Sequence, residues 1–280
     1  MEHILNMEQI KNYERHLRLE ERSAATIEKY MRDIRSFFAV LPKDKKVDKE
    51  FIIQYKEYLG KTYAISTANA GIAAINGLMT LLGWYDCKVK PYKQQRKIFR
   101  DKEKELSKAE YLRLLDAAKN KGNNRLFYLM ETLCATGIRI SELPYITAEA
   151  VKTGQAVVNC KGKARIVLLS KKLREALGRY CKENHIKEGP VFVTRSGKPM
   201  SRSNVWSEMK KLCESAKVDP DKVFPHNFRH LFAVAYYNLE KDIAKLADLL
   251  GHASIETTRI YIMESSEKHI CQMERLGLVV

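Results

Sequence analysis

Acidic side chains are scarce in this 280-residue sequence: 34 Asp and Glu stand against 50 Lys and Arg, which gives a formal net charge of +16. The isoelectric point is correspondingly high, near 9.5. A surface this basic attracts phosphates and releases their counterions. Nucleic acid is therefore the leading candidate partner, and the alternative from charge alone is a basic surface that only keeps the chain in solution.

Signals for secretion and for membranes are also missing. The six cysteines include no CxxC pair, which is typical of a reduced, cytoplasmic protein. The N-terminal MEHILNMEQI has no charged stretch followed by a long apolar one, so we expect no secretion signal. No apolar run approaches the roughly 18 residues that span a bilayer. The sequence predicts a cytoplasmic, nucleoid-associated protein with no membrane partner.

Motifs for nucleotide hydrolysis and for metal catalysis are incomplete. Residues 60–62 (Gly-Lys-Thr) match the end of a phosphate-binding loop, but Tyr55 stands where its first glycine belongs. His226 and His230 have the spacing of HExxH, but Asn227 replaces the general-base glutamate. We therefore expect neither a metal nor a cofactor.

The first part of the chain has the pattern of a helical domain. The segment SAATIEKYMRDIRSFFAVL begins at a Ser23 cap, carries apolar residues at three-to-four spacing and closes before Pro42. VDKEFIIQYKEYLG and the small-residue segment STANAGIAAINGLMTLLGW predict two more helices. Residues 1–84 are thus predicted to form a compact helical domain.

Residues 85–104 are predicted to be a linker. The stretch KVKPYKQQRKIFRDKEK carries eight Lys or Arg against two acids and shows little apolar periodicity. It is either a solvated connector or a basic strap across a phosphate backbone. The second interpretation makes Arg96 and Lys97 candidate DNA contacts.

Residues 105–280 predict a mostly helical domain with a small sheet. Ser107 and Glu110 form a capping box at the start of LSKAEYLRLLDAAKN. Two β-like segments, GQAVVNC and ARIVLLS, flank CKGK, so Lys161 and Lys163 are expected in or beside a hairpin turn. Further helices, a short VFVTR strand and a helical last third complete the pattern.

Six polar residues of the second part suit phosphoryl transfer. A scissile phosphodiester needs fixed donors for its non-bridging oxygens, a proton carrier and a nucleophile that can hold the phosphate. Three cations, two imidazoles and a phenol can fill these roles: Arg139, Lys161, His226, Arg229, His252 and Tyr261.

Taken singly, most of these residues allow a structural explanation. Arg139 lies three residues before Glu142, as in many surface ion pairs. Tyr261, between two isoleucines, would ordinarily be a core residue, and a lone His252 is more often structural than catalytic. His226 and Arg229 follow Pro225 at an expected helix N-terminus, where backbone donors favour an anion.

In order and spacing, the set resembles the tyrosine recombinases, or phage integrase family. The boxes ATGIRISEL, CKGKAR, HNFRH, LLGH and TTRIY stand in the family's order, and His252 follows His226 by 26 residues and precedes Tyr261 by 9. The resemblance covers nearly the whole chain. It implies a helical, SAM-like core-binding domain, a linker, and a mixed α/β catalytic domain with a small antiparallel sheet, and we expect no separate arm-binding domain.

The resemblance also implies a role for each residue. Arg139 and Arg229 would clamp the scissile phosphate, a task for planar guanidinium groups. The two histidines would bind that phosphate and assist proton movement, while Lys161 would protonate the departing 5′ oxygen. Tyr261 would attack and become a 3′-phosphotyrosine. Lys163 and Arg202 join Arg96 and Lys97 as expected DNA contacts.

The family further implies four subunits on two double-stranded DNA sites. The tail SSEKHICQMERLGLVV would pack on a neighbouring subunit, or else fold back on its own domain. Two other functions stay open: a type IB topoisomerase, which nicks and reseals one strand, and an inactive DNA-binding accessory protein. Integration, excision, inversion and dimer resolution share this chemistry.

The Tyr261→Phe variant is expected to bind DNA and to form no covalent adduct, because it lacks only the nucleophilic oxygen. Mobility shifts measure binding and denaturing gels detect the adduct. An adduct that survives denaturation in this variant would refute the assignment of the nucleophile.

Overall fold

The computed structural model describes residues 3–93, 102–160, 163–262, 270–271 and 273–276. The chain divides into two compact units, Met1–Arg96 and Lys97–Val280. Helices dominate the described residues, and each unit carries a two-stranded antiparallel sheet. The predicted fold class, mostly helical with small sheet content, is confirmed.

The first unit is built from helices whose starts are fixed by polar side chains. Asn6, Ser23 and Asp48 each accept a backbone N–H three residues ahead, as N-caps do. Strands β1 (His3–Ile4) and β2 (Lys46–Val47) pair in an antiparallel manner. The helices are α1 (Met7–Leu19), α2 (Ala24–Val40), α3 (Lys49–Thr62) and α4 (Ile65–Leu81).

Part of the predicted linker packs on this unit. A 3-10 turn covers Tyr85–Cys87, and the side chains of Cys87 and Val89 are buried in the core. The Asn76 amide on α4 holds the backbone of Val89 at both ends, at 2.8 Å to its carbonyl and 3.1 Å to its N–H. These residues are ordered because their apolar side chains leave water and their backbone is bonded.

The second unit opens with the capping box predicted at Ser107 and Glu110. Its helices are α5 (Lys108–Asn120), α6 (Asn124–Thr136), α7 (Ala148–Thr153), α8 (Lys171–Glu183), α9 (Arg202–Lys210), α10 (Cys213–Ala216), α11 (Pro225–Glu240), α12 (Ile243–Leu250) and α13 (Ile255–Ile262).

The predicted hairpin is present. Strands β3 (Gln155–Cys160) and β4 (Lys163–Leu168) pair antiparallel, with Val157 opposite Ile166. The expected VFVTR strand is reduced to an isolated bridge between Val193 and Pro199. The buried Val191 and Phe192 account for the apolar pattern that suggested a longer strand.

Close contact between α6 and α11 brings two segments of the future site together. Helix α6 ends at Gly137, whose φ of +61° lies in the left-handed region that glycine adopts readily. A Cβ at Gly137 would lie 2.4 Å from Phe232 Cδ1 on α11. The glycine thus permits both the turn after α6 and the approach of α11.

Among the described residues, no helix combines the length and the apolarity needed to cross a membrane.

Candidate active site

Five of the six predicted catalytic residues stand at the ends of helices or on the last described helix of the second unit. Arg139 follows α6, and His226 and Arg229 lie in the first turns of α11. His252 follows Gly251 at the end of α12, and Tyr261 lies on α13. The sixth, Lys161, lies outside the described residues, between β3 and β4 in the sequence.

Arg229 is the buried centre of this site. The residue is 1% exposed, and its two terminal nitrogens donate to Gly137 O at 2.5 Å and Leu250 O at 2.7 Å. Burial, and then the charge of Arg139, lower the pKa of Arg229 to about 10, so it remains a cation at neutral pH. A cation kept in such a place favours an anionic ligand.

His252 is oriented by two hydrogen bonds. Arg229 Nη2 lies 2.8 Å from His252 Nε2, and since guanidinium only donates, Nε2 is the acceptor. His252 Nδ1 therefore carries the proton and donates to Thr258 Oγ1 at 2.8 Å. Burial, followed by the charge of Arg229, lowers the pKa of His252 to about 4, and the ring is neutral at pH 7.

Tyr261 directs its hydroxyl toward the same group of residues. Its Oη lies 3.3 Å from His226 Nε2, and its ring is stacked on that of His252, with centroids 5.7 Å apart at 9°. Burial, and next Arg229, lower the pKa of His226, so a neutral imidazole faces the phenol. A neutral imidazole at this distance can accept the phenolic proton.

Arg139 forms the exposed side of the site. Its side chain is 42% exposed, and Nη1 donates to Glu142 Oε1 at 3.0 Å. The carboxylate is 2% exposed and also accepts the backbone N–H of Arg139 at 2.9 Å. The expected surface ion pair is thus buried on the Glu142 side, which fixes the guanidinium far better than two exposed chains would.

An open cleft of about 730 Å³ lies over these side chains. Arg139, His226 and Arg229 line it, together with Arg202 at the start of α9. The charge of Arg202 contributes to the lowered pKa of His226. Three guanidinium groups at one cleft give it a positive potential that suits a phosphate backbone.

The other predicted DNA contacts are less informative. Arg96 and Lys97 lie outside the described residues, and the structure describes the backbone of Lys163 in β4 but not its side chain. Arg202 is the one of these four residues whose side chain the structure places, and it stands at the cleft. All four stay predictions.

Two residues of the site, Thr258 and Arg165, were not singled out from the sequence, and a third, His230, was considered there only as a metal ligand. Thr258 holds His252, Arg165 donates to Glu142, and the ring of His230 packs against that of Tyr261 in a tilted arrangement, with centroids 5.2 Å apart. His230 also pairs with Glu105 at 3.1 Å. One signal was available: Arg165 occupies an inward position of a strand, where a charge needs a partner.

Side chains of metal-ligating types cluster at one place among the described residues. One group, in the first unit, brings His3, Asp86 and Cys87 within 4.8 Å. The imidazole already bonds both Asp86 oxygens at 3.1 Å and stacks on Trp84. Burial raises the pKa of the Cys87 thiol to about 11, so it is a poor ligand at neutral pH. We assign this group a structural role.

The profile of the phage integrase family matches residues 104–268, which is more than half of the chain. The chain belongs to the phage integrase family.

Among curated relatives, the tyrosine recombinase XerD of Xanthomonas campestris pv. campestris is 34% identical over 150 residues, covering 48% of this chain and 46% of the relative. XerD of Halalkalibacterium halodurans is 33% identical over 145 residues, covering 48% and 47%. The chain thus spans about half the length of the curated relatives it matches.

Solved structures show the same fold at low identity. The XerA recombinase is 24% identical with a TM-score of 0.52, covering 98% of both chains. A lambda integrase dimer bound to a COC′ core site is 17% identical with a TM-score of 0.74, covering 93% of this chain and 77% of that one. A lambda integrase tetramer bound to a Holliday junction is 18% identical with a TM-score of 0.74, covering 92% and 78%.

The lowered pKa of His252 predicts a pH dependence of stability. Because its folded pKa lies below the ordinary 6.5, the unfolded chain takes up the proton first as the pH falls. Stability from this group is complete above pH 6.5 and is lost toward pH 4. We expect His252→Gln, whose amide keeps a donor and an acceptor, to lose less thermal stability between pH 7 and pH 5 than the wild type.

The control is His185→Gln, at an exposed histidine of the same unit. Melting temperatures at both pH values are the measurement. Equal losses in His252→Gln and the wild type would contradict the assignment of a buried neutral ring.

Proposed function

We propose that this protein is a site-specific DNA recombinase that cleaves and rejoins strands through a 3′-phosphotyrosine. The observation that carries the proposal is the placement of Tyr261 Oη against neutral His226 and near Arg229, beside a cleft that Arg139 and Arg229 line. A nucleophile, a proton acceptor and two cations for one phosphate are the parts that this transfer requires.

In the first step, Tyr261 Oη attacks the phosphorus and His226 Nε2 accepts its proton. Arg139 and Arg229 donate to the non-bridging oxygens and stabilise the charge that develops on them. Arg229 is held by backbone carbonyls and Arg139 by Glu142, so neither guanidinium has to reorganise during the step. The proposed role of His252 is to orient Arg229, since its Nε2 accepts from that residue.

The bond between phosphorus and the 5′ oxygen then breaks. Lys161, which lies between β3 and β4 in the sequence, is the proposed donor of the proton to that oxygen. The 3′ phosphate stays on Tyr261, and a 5′ hydroxyl of a partner strand reverses the reaction. One phosphodiester is exchanged for another linkage of similar energy, so the exchange needs no nucleotide hydrolysis.

Double-stranded DNA is the proposed substrate. The net charge of +16 and the positive cleft support it, as do the relatives that are named tyrosine recombinases. In this proposal residues 1–84 are the core-binding domain, residues 85–104 contact the phosphate backbone and residues 105–280 form the catalytic domain. The proposed location of the protein is the cytoplasm, in association with the nucleoid.

A topoisomerase would use a similar site as a monomer, whereas a recombinase must assemble. An apolar groove of about 760 Å³ favours assembly; it lies between the start of α5 and the outer face of α11. It is lined by Leu106, Tyr111, Leu231, Ala235 and Leu239, among others, and Leu239 is 79% exposed. Apolar grooves of this kind commonly receive an amphipathic segment of a partner.

The described part of the tail supplies such a segment. Ile270, Met273 and Leu276 recur at helical spacing and are all more than half exposed, which supports packing on a neighbouring subunit over packing on their own domain. We assign the groove to the tail of a second copy, and the proposed assembly is a homotetramer on two DNA sites.

A pool of nicked duplexes with a randomised central segment tests the function without knowledge of the target. A nick next to the scissile bond lets the cleaved fragment leave, so covalent adducts accumulate and can be captured after denaturation. We expect the wild type to enrich one sequence family, with Tyr261→Phe as the control. Adducts with no sequence preference would favour the topoisomerase, and the absence of adducts would favour the inactive accessory protein.

Tail exchange is tested by mixing two defective proteins. A variant cut after residue 269 lacks the tail segment, and Ala235→Trp obstructs the groove. Each alone is expected to bind the recovered site without assembling, while the mixture forms pairs through the intact tail of one and the intact groove of the other. Native gels with differently sized DNAs detect these pairs. A truncated protein that still formed the complete tetramer would contradict the exchange.

A further inference from the structure

Arg165 is a charged residue on the inward face of β4. Along this strand Ala164, Ile166 and Leu168 are exposed, whereas Val167 is buried and the Arg165 side chain is only 15% exposed. The apolar pattern of the strand does not require a cation at this position. Its contacts therefore call for a specific explanation.

The first contact is with Glu142. Arg165 Nη2 donates to Glu142 Oε2, and the other oxygen, Oε1, accepts from Arg139 Nη1 at 3.0 Å. Burial raises the pKa of the carboxyl group, but the bonds to Arg165 and Arg139 outweigh burial and the pKa lies below its ordinary value. Arg165 thus keeps Glu142 ionised and turned so that Oε1 faces Arg139.

The second contact is with the end of α12. Arg165 Nη1 donates to Leu249 O at 2.6 Å, where a cation is favoured by the unpaired carbonyls and the dipole of the helix. The next carbonyl, Leu250 O, holds Arg229. A Cβ at Gly251 would lie 2.3 Å from Arg165 Cδ, so the backbone before His252 passes directly over this side chain.

The third connection is covalent. Arg165 stands opposite Val158 in the hairpin and four residues after Lys161. A contact at Arg165 therefore fixes the position of the paired strands β3 and β4.

We propose that Arg165 is a positioning residue for strand cleavage, which ties the hairpin of Lys161, the carboxylate that aims Arg139 and the segment that carries His252 into one unit. The inference rests on the proposed function. Arg165 acts through these groups and does not itself contact the phosphate.

The decisive variant is Arg165→Lys, which keeps the charge. A single ammonium is compact and lacks the fork with which guanidinium reaches a carboxylate and a carbonyl together. We expect affinity for the duplex recovered from the pool to change less than about twofold. The single-turnover rate of adduct formation should fall about 10- to 100-fold, since small misplacements of catalytic groups have effects of this size.

Arg125→Lys is the matched control. Arg125 also donates to a carboxylate, Glu208 at 2.7 Å, and to a carbonyl, Val193 O at 2.9 Å, and its Nε is likewise buried without a partner among the described residues. Neither Glu208 nor Val193 belongs to the site. We expect a similar loss of melting temperature and a cleavage rate within about twofold of the wild type.

A double substitution separates positioning from general damage. If Arg165 acts through Arg139, the effects of the two substitutions on the cleavage rate are coupled and not additive. Arg165→Lys should then slow the Arg139→Lys variant by a much smaller factor than it slows the wild type. Adding Arg125→Lys to Arg139→Lys should instead slow cleavage by the same factor as Arg125→Lys slows the wild type. Equal rates for Arg165→Lys and Arg125→Lys, or full additivity with Arg139→Lys, would overturn the proposal.

Different results would refute the proposed function and the positioning role of Arg165. A wild type that forms no adduct on any duplex of the pool refutes the proposed function, whereas an active wild type with an equally active Arg165→Lys refutes only the positioning role. Should Arg165→Lys not fold, as judged by near-UV circular dichroism, Arg165→Gln replaces it, with Arg125→Gln as its control. The same outcomes then decide.

Discussion

The site depends on one buried cation. Arg229 is removed from water and its cost is offset by hydrogen bonds to Gly137 and Leu250, the carbonyl groups where α6 and α12 finish. The helix ends need donors and the guanidinium needs acceptors, so each satisfies the other. This exchange holds the segments that carry Arg139 and His252 beside Arg229 of α11.

The surrounding charges follow from that arrangement. The guanidinium groups of Arg139 and Arg165 share the carboxylate of Glu142, and Arg229 is held by neutral carbonyl groups. Burial, together with this excess of positive charge, lowers the pKa of His226 and of His252. Neutral imidazoles can accept a proton from the phenol or a hydrogen bond from Arg229, and both contacts are present. A bound phosphate would supply negative charge that balances the guanidinium groups of the site.

Much of the fold could be predicted from local pattern. The helix at Ser107 and the hairpin around CKGK were expected because capping and strand patterns are encoded within a few residues. The predicted VFVTR strand was too long, because a buried apolar run has the same composition whether or not it pairs with another strand. The packing of Val89 on the first unit could not be predicted from local sequence, because the backbone of Val89 is held by Asn76 on α4.

The sequence by itself determined the chemistry that is available: the residue types, their order and a basic surface, because these are properties of the chain and do not depend on its path. Only the tertiary structure decided which of them meet. Arg165 and Thr258 belong to the site because β4 and α13 pack beside α12. The pairing of Arg139 with Glu142 is stronger than that of a surface ion pair because the carboxylate is buried. Burial and long-range contact arise from the packing of segments far apart in the chain, and no local pattern specifies them.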